Sequence, residues 1–143
     1  MILPDVNVLA YAYRREAERH ERYAEWLTDV VGGAEELALA EAALTGFVRI
    51  VTHPRIMVDP APTPDALRFV ASLRAATRAR RLAATDATWA LMSTWSAGDP
   101  QLRANLVPDA WLAALACSHG ARLATADRGF ARYPGLDWFD PGR

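Results

Sequence analysis

The chain has 143 residues, 52% of them apolar, with a formal net charge of −1; that is the length of one domain, residues 1–143, and too short for two separate cores. Charged residues interrupt every apolar run before it could cross a bilayer, and the apolar start contains Asp5 with no basic segment before it, unlike a secretory leader. The single cysteine, Cys117, excludes an internal disulfide, so the expectation is a globular, cytoplasmic protein with no membrane segment. All sixteen basic residues are Arg, a usage that suits both a G+C-rich, Ala-rich coding bias and phosphate recognition, so bulk charge does not choose a partner.

Residues 1–4 predict a short buried strand, and Asp5 turns the chain into a helix reaching about Tyr13. A second helix fits 20–31, where Tyr23, Trp26, Leu27, Val30 and Val31 share one face; Gly32 and Gly33 end it. Residues 36–40 predict a second strand and Glu41 to Thr52 a third helix. His53 to Pro64 holds four prolines and is a loop. Thr63 as N-cap and Pro64 as first helical residue open a fourth helix with Leu67, Val70 and Leu73 on its buried face. A third strand is expected from Arg81, then a helix over Ala87–Trp95, a stop at Gly98-Asp99-Pro100, and a helix from Leu106 to Ser118 closed by Gly120. Residues 122–125 predict a fourth strand, Asp127 a short helical turn, and residues 136–139 a last strand. Short strands alternating with helices predict an α/β domain with a mostly parallel sheet, because parallel neighbours need crossover helices.

Four acidic residues stand at telling places in this alternation. Asp5 and Glu41 directly follow strands, Asp127 lies just beyond one, and Asp109 begins the helix that feeds it. In an open parallel sheet the C-terminal strand ends meet at one edge, where ligands bind. Carboxylates gathered there repel one another unless a cation intervenes. Oxygen ligands without His or Cys favour Mg²⁺ or Mn²⁺, ions that promote phosphodiester hydrolysis. Taken singly, Asp109 and Asp127 are better explained as helix caps and Glu41 as a solvated first-turn residue, whereas Asp5, between an apolar strand and an apolar helix start, is harder to explain in that way; the case for chemistry rests on the set.

With these positions in place, the chain resembles the PIN-domain ribonucleases, in particular the VapC-type toxins of prokaryotic toxin–antitoxin pairs. The likeness runs over nearly the whole chain and is strongest in LPDVNVL (3–9), EAALTGFVRIVTHP (41–54), NLVPDAWLAALACSHG (105–120) and LATADRGF (123–130). The resemblance implies a three-layer α/β/α domain and a catalytic set of Asp5, Glu41, Asp109 and Asp127. Asp5, Asp109 and Asp127 would bind Mg²⁺ or Mn²⁺. Asn7 would orient Asp5, and Thr125 would support Asp127 or the scissile phosphate. It further implies in-line attack of an activated water on RNA, leaving a 5′-phosphate and a 3′-hydroxyl, with Glu41 or Asp109 positioning the water. A homodimer and a small VapB-type antitoxin are the implied protein partners.

The remaining candidates are less informative. Arg14, Arg15, Arg49, Arg55, Arg128 and Arg132 suit an RNA backbone but also suit solvated helix faces. His20, His53 and His119 share no metal-ligand spacing. The tryptophans at 26, 89, 95 and 111 are read as core or dimer contacts. An aspartyl phosphatase would carry a second Asp where Asn7 stands, and a receiver domain would need a late Lys that this chain lacks. A flap endonuclease needs inserts for which the chain has no room.

Overall fold

The structure is a computed structural model describing residues 1–143. β1 (Ile2–Pro4) ends at Asp5, whose extended backbone and carboxylate cap α1 (Val6–Tyr13). There follow α2 (His20–Gly32), β2 (Leu37–Leu39), α3 (Glu41–Val51), α4 (Thr63–Arg74), β3 (Ala79–Arg81), α5 (Asp86–Gly98), α6 (Val107–His119), β4 (Arg122–Ala124) and β5 (Trp138–Phe139). Single 3₁₀ turns occupy Ala104–Leu106 and Arg128–Arg132.

All strand pairings are parallel, and the sheet order is β3-β2-β1-β4-β5. Alternation along the strands buries both faces. Ile2, Leu37, Leu39 and Ala124 join a core beneath α1, α2, α3 and α4. Leu3, Ala38 and Leu123 join a second core beneath α5 and α6. The result is the expected three-layer α/β/α arrangement. On the first face, the rings of Tyr13, Phe47 and Phe69 tie α1, α3 and α4 together with centroids 5.0–5.3 Å apart.

The strand order decides where the site lies. From β1 the chain steps outward through β2 to β3, then returns through α5 and α6 to place β4 on the other side of β1. The direction therefore reverses between β1 and β4, and a crevice opens beyond their C-terminal ends. Pro4 pairs with Ala124 in register, so Asp5 emerges opposite Thr125. Gly46 keeps this corner tight. A Cβ there would lie 3.0 Å from Val6 Cγ2, so any larger residue would press on the Val6 side chain in the first turn of α1.

Three sequence expectations shift. The third strand begins at Ala79, two residues early, because the edge residues Arg80 and Arg81 are exposed and carry no hydrophobic alternation. Thr63 is already helical and caps nothing with its side chain; Pro62 holds the N-cap position and its carbonyl accepts the Asp65 and Ala66 amides. Leu67 is 52% exposed, and Ala66 takes the inward position beside Leu73. Large apolar residues flank both sides of that stripe, so periodicity alone misjudges its centre.

Candidate active site

Asp5 is the buried acid of the molecule, 6% exposed. Its Oδ1 accepts the Val6 amide at 2.7 Å, and its Oδ2 accepts the Thr125 hydroxyl at 2.7 Å. These bonds favour the charged form, but burial outweighs them, and the charges of Asp109 and Asp127 add to it; the pKa is pushed up to about 6.

Thr125 is fully buried and its hydroxyl is saturated. It donates to Asp5 and accepts from the Asp127 amide at 3.1 Å and from Asn7 Nδ2 at 3.4 Å. One O–H and two lone pairs allow no more, so Thr125 holds Asp5 and the loop of Asp127 and has no capacity left for a phosphate. Asn7 does not bond Asp5 itself. It reaches across to β4, with Oδ1 accepting the Ala126 amide at 3.2 Å, and acts on Asp5 through Thr125. The helix begins at Val6, which swings Asn7 toward the β4 end rather than back to its neighbour.

Asp109 lies in the first turn of α6, behind Pro108. The helix dipole there favours its charge, yet burial and the nearby Asp127 raise its pKa; Arg132 works in the opposite direction. Asp127 caps the turn that follows β4, its Oδ1 accepting the Gly129 amide at 2.7 Å. The fold thus brings Asp5, Asp109 and Asp127 into electrostatic contact from three separate parts of the chain. Glu41 lies apart. It stands on the same sheet edge, but its side chain is 64% exposed and its Oε1 pairs with Arg81 Nη1 at 3.1 Å, on the β3 side. Helix α3 begins at Glu41 itself, so the carboxylate leaves the first turn toward solvent and the edge strand.

Two further residues, Arg132 and Tyr133, lie within the field of Asp109. Arg132 also faces Asp99 at 3.9 Å. The buried Tyr133 hydroxyl has no hydrogen-bond partner, and burial, then Asp109, raises its pKa. Tyr133 was not legible as a site residue, because a tyrosine packed on Trp95 and Phe130 gives the same sequence signal as any core aromatic.

The donor set fits a hard divalent cation. It offers only carboxylate oxygens, and burial, with mutual charge added to it, suppresses the ionisation of Asp5 and Asp109, a cost that a bound cation would offset. No three His, Cys, Asp or Glu side chains are arranged so that they could hold an ion by themselves. Elsewhere, Cys117 is half-buried and its thiol is pushed up by burial, so it is an unreactive packing residue. His53 Nδ1 accepts the Arg55 amide and shapes the proline-rich loop. No helix is long and apolar enough to cross a membrane.

A strand-order reversal with acids at its mouth marks the ligand-binding edge of an α/β fold, and comparison with known proteins names the family. The PIN domain model matches residues 2–136. VapC ribonuclease Mb2897 of Mycobacterium bovis is 38% identical over 141 residues, covering 99% of this chain and 95% of that protein. Among solved structures, VapBC-1 from nontypeable Haemophilus influenzae superposes with a TM-score of 0.72 at 19% identity, covering all of both chains. VapC20 of Mycobacterium tuberculosis, described as a sarcin-ricin loop cleaving toxin, superposes with a TM-score of 0.67 at 14% identity over 96% of this chain and 98% of its own. The chain belongs to the PIN-domain family, among the VapC ribonucleases.

Proposed function

We propose that this protein is a Mg²⁺- or Mn²⁺-dependent endoribonuclease, acting as a toxin that a small VapB-type antitoxin neutralises. The observation that carries this reading is Asp5, a carboxylate buried at the strand-order reversal within the field of Asp109 and Asp127. Asp5, Asp109 and Asp127 would hold the ion. When bound, the ion supplies the charge that lets the three ionise together and the acidity that makes water a nucleophile near neutral pH. Thr125 and Asn7 hold Asp5 in one orientation. Asp109 is the better placed acid to orient the attacking water, since it is only half-buried at the cleft mouth. Glu41 joins this work by leaving Arg81, an exposed ion pair that costs little to break. The test is cleavage of RNA by purified protein in Mg²⁺ or Mn²⁺ against excess EDTA. Undiminished cleavage in EDTA would overturn the metal mechanism and the assignment of all three acids.

The partner reading rests on charge and on exposed apolar surface. The acidic cleft attracts a cationic side chain, and an Arg fork pairs with two carboxylate oxygens at once, so the antitoxin is expected to place an Arg there. For the homodimer, α2 offers nothing, because Tyr23, Leu27 and Val30 are spent in the core. Free apolar surface lies instead on the α5–α6 layer, at Trp89, 61% exposed and tilted against Trp111, and at Val107. Sedimentation should show a dimer, which Trp89→Ser shifts toward monomer and which a cognate small protein with an Arg-bearing tail enlarges; a monomer at tens of micromolar for the unmutated chain would reject the dimer.

A further inference from the structure

Asp109 differs from the other two acids of the cleft in having no hydrogen bond to hold it. Asp5 accepts the Val6 amide and the Thr125 hydroxyl, and Asp127 accepts the Gly129 amide. Asp109 is acted on only by burial and by the charges of Asp127 and Arg132. A carboxylate that ligates a metal is ordinarily fixed by a hydrogen bond from a group behind it.

The donor suited to Asp109 is Tyr133. Its amide closes the 3₁₀ turn that Asp127 caps, donating to the Phe130 carbonyl at 3.2 Å, so Asp127 and Tyr133 stand at the two ends of one turn. The Tyr133 side chain is buried, and its ring packs on Trp95 of α5 and on Phe130, with centroids 5.0 and 5.8 Å away. This packing fixes the ring and leaves the hydroxyl among the acids. The charges that act on it are those of Asp109, Arg132, Asp99 and Asp127, with Asp109 the foremost. Yet the hydroxyl oxygen is buried and has no hydrogen-bond partner.

A buried hydroxyl without a partner is costly. A phenylalanine would fill the same space against Trp95 and Phe130 without that cost, so the hydroxyl adds nothing to the metal-free fold. Of its charged neighbours, Arg132 has donors only. Asp99 accepts the Gln101 amide at 2.9 Å and faces Arg132, and Asp127 is engaged with Gly129. Asp109 is the acceptor left over, and Tyr133 the donor.

We propose that Tyr133 is a positioning residue for the metal site: when Asp109 holds an ion through one carboxylate oxygen, the Tyr133 hydroxyl donates to the other. The bond fixes the rotation of the carboxylate and favours its charged form. This rests on the reading of Asp109 as a metal ligand and adds the residue that aims it.

The test is Tyr133→Phe, which removes the hydroxyl and keeps the ring. Mn²⁺ binding is read by electron paramagnetic resonance, and stability by urea denaturation in EDTA. Without metal, Tyr133→Phe should be at least as stable as the wild type, yet it should bind Mn²⁺ about tenfold more weakly. Its RNA cleavage should fall at limiting Mn²⁺ and recover at saturating Mn²⁺. In the Asp109→Ala background, where the acceptor is gone, Tyr133→Phe should weaken Mn²⁺ binding no further. Unchanged Mn²⁺ affinity in Tyr133→Phe would overturn the proposal while leaving the metal reading intact. So would a clear loss of metal-free stability, because the hydroxyl would then have a partner at rest. An equal loss of affinity in the Asp109→Ala background would also overturn it, by placing that partner elsewhere. A wild type that binds no Mn²⁺ would overturn the metal reading and the proposal together.

Discussion

Asp5 and Glu41 begin from the same local situation and end in opposite ones. Each stands just beyond a buried three-residue strand at the same edge of the sheet, although Asp5 follows β1 directly and caps α1, while Ala40 separates Glu41 from β2 and Glu41 is itself the first residue of α3. Asp5 is 6% exposed, bonded to Val6 and Thr125, and surrounded by like charge. Glu41 reaches solvent and rests against Arg81. The difference is one of position in the sheet. β1 is central, and its neighbour β4 comes from the other end of the chain, so a residue leaving β1 meets Thr125, Asp109 and Asp127. β2 lies one strand further out, beside an edge strand whose exposed arginines neutralise whatever acid is near. Chemistry gathers where the winding reverses, and a single strand's distance changes a strained charge into an ordinary surface pair.

The largest expected effect separates the two acids by activity. Asp5→Asn should lower RNA cleavage by about 10³-fold or more while the circular dichroism spectrum is unchanged, since shape is kept and only the ligand charge is lost. Glu41→Gln should cost less, about tenfold, if its main residence is beside Arg81. Equal losses would show that Glu41 leaves Arg81 for the cluster in every turnover and that the resting pair is only its parking place.

Stability against pH gives the next largest contrast. A carboxylate whose native pKa is raised to about 6 carries no penalty below the unfolded value near 4, where both states hold the proton. As pH rises through 6 the native state must ionise a buried group, and stability falls. Metal-free protein should therefore lose about 2–3 kcal/mol between roughly pH 4 and 6 relative to Asp5→Asn, read by urea denaturation in EDTA. Added Mg²⁺ should restore most of it. Parallel pH profiles for wild type and Asp5→Asn would show that Asp5 is not strained.

The smallest effect is reserved for Arg81→Ala. An exposed ion pair is worth less than about 1 kcal/mol, so the melting temperature should scarcely move, and added salt should abolish what difference there is. A loss of several kcal/mol would mean that the Glu41–Arg81 pair secures the β2–β3 edge, and the two acids would then differ less than their surroundings suggest.

Much of this protein was determined locally. The order of strands and helices follows from short apolar runs, the caps at Asp5 and Asp127, the prolines of the loop after His53, and Gly120, whose φ of +66° ends α6. That Asp5, Asp109 and Asp127 would come together was legible too, because the family-like segments lie on them and place them at one edge of the sheet. What the chain could not state locally is which distant groups those side chains meet. Asn7 reads as a partner of Asp5, two residues away, yet it binds Thr125 and Ala126 because β4 docks beside β1. Glu41 reads as an equal of Asp5 until β3 brings Arg81 to it. Arg14 reads as a solvated helix end, and Tyr133 as a core aromatic, until the fold buries an unpaired donor on each. Burial, hydrogen-bond saturation and mutual charge are properties of neighbours in space. Only the strand order that places β1 between β2 and β4 decides them.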